Sequence, residues 1–361
     1  MAYDLMIYTD NVEPAAVNQI YNLMSQPPFR GSKVRIMPDV HVGNGCVVGF
    51  TATMGDQVIP NVIGVDIGCG MLTVELGKAD VDPADLDDFI RAQIPAGSAL
   101  HKDYGDVDFV KKLRCFKELR DTDRVFRSMG TLGGGNHFIE LDRDEEGNTY
   151  LVIHSGSRNL GTQVAKYYQK MAVDLCKNDP ARSKIPADFC YLQGPEGADY
   201  LQDMRICQEF AVRNRQTMAE RILKHLGISK APRFETMHNF IDEENIIRKG
   251  AIPAHKGQKV LIPMNMRDGC LIARGLGNPD WNCSAPHGAG RLVSRAEAKE
   301  LFTVEEYRAA MAGIYTTSAN RSTIDESPMA YKPMEQILGL IGPTVTVLKV
   351  IKPIYNFKAG N

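Results

Sequence analysis

Apolar positions along the chain fall into two rhythms. Between residues 14 and 25, Ile20, Leu23 and Met24 recur at helical spacing with Tyr21 beside them, and Pro14 suits a first helical position, which predicts a helix there. Shorter apolar runs broken by turns follow, "CVVGFTAT", "QVIPNVIGVDIG" and "MLTVELG", and each predicts a strand. "DPADLDDFIRAQI" predicts a helix capped by Asp82 with Pro83 next to it. "HFIEL" and "TYLVIH" predict a strand pair across the polar turn "DRDEEGN". Helices are predicted over about 160–177 and 197–226, the second ending at Gly227. "VLIPM" and "CLIARG" predict strands, "SRAEAKELF" and "VEEYRAAMAG" helices, and "TVTVLKVIKPIYNF" a final alternating strand.

Strands and helices intermix without a regular βαβ period, and no Gly/Ser linker divides the chain. The expected architecture is an α/β (α+β mixed) fold with mixed sheets, one domain over 1–361 carrying a helical insertion at about 160–230. With 43% hydrophobic and 24% charged residues the composition is that of a globular protein with a real core. The 42 basic and 44 acidic side chains nearly cancel, so any nucleic-acid surface must be local. "KKLR" at 111–114 is one candidate for such a patch, although charge runs are usually solvated helix faces. "MAYDLMIYTDN" has no basic region leading into an apolar core, and no run reaches the ~18 apolar residues of a membrane span. A cytoplasmic protein whose eight cysteines are reduced thiols is expected.

Five segments set a possible metal ligand beside glycine or at a strand end. They are "MPDVHVGNG" (Asp39, His41), "GVDIGCGM" (Asp66, Cys69), "GTLGGGNHFIE" (Asn136, His137, Glu140), "VIHSGSRNLG" (His154, Arg158) and "ETMHNFI" (His238, Asn239). Asp66 and Cys69, three apart in a glycine-lined turn, can converge on one ion. Cys69 reads equally as a buried thiol, and each histidine alone as a hydrogen-bonded core residue. Together, one thiolate, three imidazoles and a carboxylate exceed a closed four-coordinate site and suit two ions sharing a ligand. His225, at a helix end, and His101 and His255, in lysine-containing loops, read as solvated non-ligands.

"SAPHGAGR" places His287 before a glycine loop and Arg291. Glycines let the backbone approach an anion, Arg291 can hold phosphate charge, and a neutral imidazole is a nucleophile towards activated phosphorus. A histidine capping the next helix is the competing reading. "GTLGGGNHF" lacks both the Walker ending and the dinucleotide glycine spacing.

Read in order, "MPDVHVGNG", "GVDIGCGM", "GTLGGGNHFIEL", "HSGSRNLG", "HNFI", "SAPHGAGR", "DESPMAYK" and a lysine near the C-terminus resemble an RtcB-type RNA ligase from about residue 30 to Lys358. The resemblance implies a GTP- and Mn²⁺-dependent enzyme that joins RNA ends bearing a 3′-phosphate or 2′,3′-cyclic phosphate to 5′-hydroxyl ends, in RNA repair or tRNA splicing. It implies that Asp66, Cys69, His137, His154 and His238 hold two Mn²⁺ ions with Cys69 bridging, and that His287 takes GMP beside a catalytic Asp39. It further implies a guanylate site from Asn136, His137, Phe138, Glu140, His238, Asn239, Pro263, Asn265, Cys270, His287, Gly288, Ala289, Gly290, Tyr331 and Lys358, with Arg158 facing an RNA phosphate. Residue types alone would favour zinc over manganese at a thiolate.

The chain departs from the family pattern in "PMNMRDGC", where Cys270 stands in place of a usual serine, and in Ala285 and Pro286 before the key histidine. It is a divergent, short member by this reading. A dinuclear metal-dependent RNA phosphodiesterase or cyclic phosphatase is the alternative; it would need the ligands but neither His287 nor Lys358. The natural RNA and any activating protein partner are not written in the sequence.

Overall fold

The period-two alternation of "HFIELDR" and "TYLVIHS" forms an antiparallel hairpin, Phe138–Arg143 with Thr149–Ser155, at the centre of a seven-stranded sheet. The structure, a computed structural model, describes residues 4–359. The order across this sheet is Lys259–Asn265, Gly269–Gly275, Val345–Lys358, Phe138–Arg143, Thr149–Ser155, Gly70–Gly77, Arg233–Met237, and every pairing is antiparallel. Ile139, Leu141, Leu151 and Ile153 face the second half of the long helix Gly194–His225 through Met218 and Ile222. Their strand neighbours Phe138, Tyr150 and Val152 pack on the opposite face with Cys270, Ile272 and Ile351. Both faces are therefore covered, and each buried aliphatic side chain contributes about 1.5–3 kcal/mol. Glu140 and His154 share this second face by the same alternation.

A five-stranded sheet runs Asp4–Ile7, Lys33–His41, Val48–Thr53, Ile246–Lys249, Asn239–Ile241. It is mixed, with Asp4–Ile7 parallel to Lys33–His41. The chain crosses between the two sheets at His238, which lies between Arg233–Met237 and Asn239–Ile241.

Most predicted elements form, with an α+β mixture as expected. The helix Pro14–Met24, the Asp82-capped helix Pro83–Gln93 and the helices Arg158–Asn178 and Gly194–His225 fall within a few residues of their predicted spans. One segment differs: "QVIPNVIGVDIG" is a two-residue strand, Gln57–Val58, then a helical turn, Pro60–Ile63, then a loop. Pro60 has no N–H for a ladder and sits at the first helical position, which ends the strand. The "KKLR" segment opens in the 3₁₀ turn Asp108–Lys112 rather than on a helix, with Lys111 and Lys112 exposed. No helix among the described residues is long and apolar enough to cross a membrane. All eight cysteines are free.

Candidate functional site

The "GVDIGCGM" turn is shaped by backbone that only glycine tolerates. At Gly68, with φ +73°, an added Cβ would stand 2.9 Å from the Gln208 Cα of the long helix. The Cys69 N–H closes the turn on the Asp66 carbonyl, and the Cys69 carbonyl accepts the His238 N–H at 2.9 Å. Behind the turn, the fully buried Arg215 donates to the Gly68 carbonyl at 3.0 Å, to the Ser155 carbonyl at 2.7 Å and to Glu235 at 2.8 Å. Asn214, one residue earlier, accepts the Gly130 and Thr131 N–H groups and donates to Ser155 and Gly156. The long helix thus fixes three ligand-bearing loops at once. Neither residue was singled out from the sequence; the signal was a charged and an amide residue at interior positions of a helical pattern.

The five predicted ligands converge. The Cys69 Sγ lies 3.2 Å from His154 Nε2 and 3.5 Å from His137 Nε2, and His137 Nε2 lies 3.1 Å from Asp66 Oδ2. The His238 ring is 5.2 Å from that of His154 and 4.9 Å from that of His287, centroid to centroid. His137 Nδ1 is held by the Leu132 carbonyl at 2.9 Å and His154 Nδ1 by the Asn136 carbonyl at 3.2 Å. Those bonds fix the tautomers and turn both Nε2 lone pairs towards the sulfur, as metal-ligating histidines require. Burial holds the His154 and His238 imidazoles neutral, and burial beside Asp66 pushes the Cys69 thiol well up. His238 Nδ1 is buried without a partner. A buried thiol, neutral imidazoles, a carboxylate and an unpartnered ring nitrogen fit a cation, which would favour the thiolate.

His287 stands on the other side of His238. Its Nδ1 is 2.6 Å from Asp39 Oδ2, which also accepts the His287 and Gly288 backbone N–H groups at 3.1 Å. Asp39 is fully buried, and the contact leaves the histidine Nε2 free. At Gly290, φ +76°, a Cβ would lie 2.4 Å from the Asp39 carbonyl, so glycine is required for the loop to close on this aspartate. His41, a possible ligand by sequence, stands outside the group of Cys69, His137 and His154; its Nδ1 is taken by the Asp39 carbonyl at 2.9 Å.

A cavity of about 120 Å³ opens beside His287. Asn136, Phe138, Glu140, Pro263, Asn265, the loop His287–Gly290, Tyr331 and Lys358 line it. His137, His238, Asn239 and Cys270 do not. Asn239 is spent on backbone, accepting from Gly250 at 2.9 Å and donating to the Asp66 carbonyl at 3.3 Å. Cys270 lies behind Glu140, Sγ to Oε1 3.8 Å. A second cleft of about 590 Å³ meets the first at Asn136, His41, His287 and Arg291 and exposes Asp66, Cys69 and His238.

Glu326 was missed in "DESPMAYK". It is buried and binds Lys358 Nζ at 2.6 Å, the Tyr331 hydroxyl at 2.8 Å, Arg295, and Arg291 at 3.5 Å. The cations round the cavity are therefore ordered before any phosphate arrives. Arg158 is half-buried, donating to Thr131 Oγ1 at 3.2 Å and the Gly97 carbonyl at 3.3 Å, with no ion pair among the described residues. Residues 111–114 line neither cavity. His101 is not solvated as read: it is half-buried with Nε2 3.0 Å from the Gly130 carbonyl. His255 is half-buried too, and His225 pairs with Asp85 at 2.7 Å.

Comparison with known proteins agrees with this arrangement. A family model described as "tRNA-splicing ligase RtcB" matches residues 19–118 and 109–359. The RNA-splicing ligase RtcB1 of Escherichia coli ATCC 25922 is 32% identical over 390 aligned positions, 95% of this chain and 94% of that protein. The RNA-splicing ligase RtcB of Escherichia coli K12 is 31% identical over the same shares. The tRNA-splicing ligase RtcB of Aeropyrum pernix is 29% identical over 84% of this chain and 82% of its own length. With motifs, ligand cluster and nearly full-length similarity in accord, the chain belongs to the RtcB family.

Proposed function

We propose that the protein is a GTP- and Mn²⁺-dependent RNA ligase that joins 3′-phosphate or 2′,3′-cyclic phosphate ends to 5′-hydroxyl ends through a histidine–GMP intermediate. The observation that carries this reading is the Asp39–His287 pair beside the cavity lined by Glu140, Tyr331 and Lys358 and within one ring of the cysteine–histidine cluster. Family membership and the relatives' names as RNA- and tRNA-splicing ligases support the RNA substrate.

In this reading Asp39 holds the Nδ1 proton, so Nε2 carries the lone pair that attacks the α-phosphorus of GTP. The P–N bond forms, the α–β P–O bond breaks and pyrophosphate leaves. An oxygen of the RNA 3′-phosphate then takes the GMP and frees the imidazole. Attack by the 5′-hydroxyl on the activated 3′-phosphorus forms the phosphodiester and releases GMP. A cyclic end is hydrolysed to the 3′-phosphate first. Asp66, Cys69, His137, His154 and His238 would hold the two ions. Such ions supply Lewis-acid stabilisation of charge on phosphate oxygens. Glu140 accepts the donor edge of guanine, Lys358, Arg291 and Tyr331 line the nucleotide site, and Arg158 meets an RNA phosphate. A single catalytic domain and a cytoplasmic location belong to the same reading.

Incubation with α-labelled GTP and Mn²⁺ tests it. An acid-labile, base-stable label on the protein, absent in His287→Ala, is expected. An unlabelled protein that still hydrolyses cyclic ends would replace the ligase by the metal-dependent phosphodiesterase.

A further inference from the structure

A second buried cluster lies behind the cavity. Asp142 follows Glu140 on the same face of the Phe138–Arg143 strand and is fully buried, yet among the described residues neither of its carboxylate oxygens is paired with an N–H or O–H donor. Ligand atoms of Glu140, Asp142 and Cys270 all lie within 4.8 Å of one another. Among the described residues neither carboxylate forms an ion pair. Lys358, the nearest to Glu140, is bound to Glu326 at 2.6 Å. From the Thr149–Ser155 strand, Tyr150 turns its hydroxyl to Asp144 at 2.9 Å. Lys349 is bound to Asp144 and Glu146. Cys270 faces the pair from the Gly269–Gly275 strand, and from the C-terminal strand Asn356 donates its amide to Glu140 Oε2. Two adjacent carboxylates in an apolar surround do not both ionise.

We propose that Asp142 is a neutral carboxylic acid that donates its proton to Glu140, and is thereby the positioning residue that holds Glu140 ionised and aimed at the base of the nucleotide. The proposal rests on the guanine-site reading above. Glu140 then accepts from three donors, Asn356 Nδ2, the Cys270 thiol at 3.8 Å and the Asp142 hydroxyl, which leaves one carboxylate lone pair for the cavity that Glu140 lines. Guanine presents paired N–H donors on one edge; adenine presents an acceptor there. The arrangement makes base choice depend on a residue that never touches the base. Burial pushes the Glu140 carboxyl up to about 7, against the lowering effect of its hydrogen bonds with Asp142 and Asn356 and the charge of Lys358. Asp142 is pushed well above the carboxylate range by burial and by Glu140. Over the interval between them the pair carries one proton and one charge.

The test has two arms. In the infrared spectrum of the nucleotide-free protein at about pH 8, a buried protonated carboxyl band is expected, lost in Asp142→Asn. In the second arm, GTP and ATP affinities are compared for wild type, Asp142→Asn and Asp142→Leu. The asparagine keeps an N–H donor and should bind GTP within about threefold of wild type. The leucine removes the hydrogen-bond donor to Glu140 and should weaken GTP by about tenfold or more while leaving ATP unchanged. Wild-type GTP affinity should rise with pH through about 7 as Glu140 ionises. Equal GTP binding by the leucine and asparagine variants would overturn the positioning role. So would a bound metal ion lost in both Cys270→Ala and Asp142→Asn, because a cation would then replace the proton. A wild type that binds no guanine nucleotide overturns the guanine-site reading and the positioning role with it, whereas a missing infrared band overturns the shared proton alone.

Discussion

Asp39 Oδ2 accepts three N–H groups from one loop, the His287 ring at 2.6 Å and the backbone of His287 and Gly288 at 3.1 Å each. One buried oxygen therefore sets the tautomer, the ring orientation and the path of the loop. Asp39→Asn can present either an amide oxygen or an amide N–H here; the N–H would repel all three donors. Loss of the correct tautomer costs a histidine nucleophile or base about 10²–10⁴-fold. Guanylylation of Asp39→Asn is expected to fall by that factor with metal content unchanged, read from label incorporation beside metal analysis of the same sample.

Cys69 is the only sulfur in the first cluster, and both Nε2 atoms point at it. Cys69→Ser places a harder and shorter ligand at that centre. Metal affinity should drop by at least about 100-fold, more than typical changes to residues that merely support ligands. Guanylylation should be lost with it. Serine protein that keeps full metal occupancy and labels normally would remove sulfur from the chemistry.

The sequence made much of this site readable because its residues are written as short segments. Glycines mark the turns where backbone must approach backbone, as at Gly68 and Gly290, and each carries a chemical side chain beside it. The antiparallel hairpin was equally plain, since period-two alternation has one structural solution. What was hidden depends on contacts distant in sequence. Nothing in the spacing tells that Arg215 reaches Gly68 across 147 positions, or that Glu326 gathers Lys358, Tyr331 and two arginines. The "HNFI" motif likewise does not tell that the Asn239 amide bridges the Gly250 N–H and the Asp66 carbonyl. The apolar run through Pro60 was read as strand because a continuous apolar stretch does not report its own period.

His41 sits where the two cavities meet, and burial lowers its imidazole to about 4, the bond from the Asp39 carbonyl only partly offsetting this. A base with a depressed folded value binds fewer protons folded than unfolded between about pH 6.5 and 4. Its contribution to stability is therefore complete above about 6.5 and disappears as pH falls through that window. The loss over the whole window is on the order of 3 kcal/mol. Urea titrations from pH 7 to 4.5 should show a flatter acid limb in His41→Gln than in wild type. Identical limbs would mean that the ring is hydrated enough to protonate freely.

Arg215 offers the sharpest separation of support from chemistry. Its side chain is fully buried, none of its hydrogen bonds goes to a residue lining the cavity beside His287, and it ties the carbonyls of Gly68 and Ser155 to Glu235. Arg215→Met fills much of the volume but leaves two carbonyls without their donor and one carboxylate without its cation. Removing one partner of a buried pair costs about 3–5 kcal/mol, and the partial exposure of Glu235 lowers this to about 2–4. Adding Glu235→Gln should recover part of the stability because the stranded charge is gone, while the Gly68 and Ser155 carbonyls stay unsatisfied. Metal affinity should therefore remain weakened in the double variant even where stability returns. Chemical denaturation of the two variants, with metal titration of each, would show this uncoupling; full recovery of both together would mean that Arg215 acts only through Glu235 and not through the turn that carries Cys69.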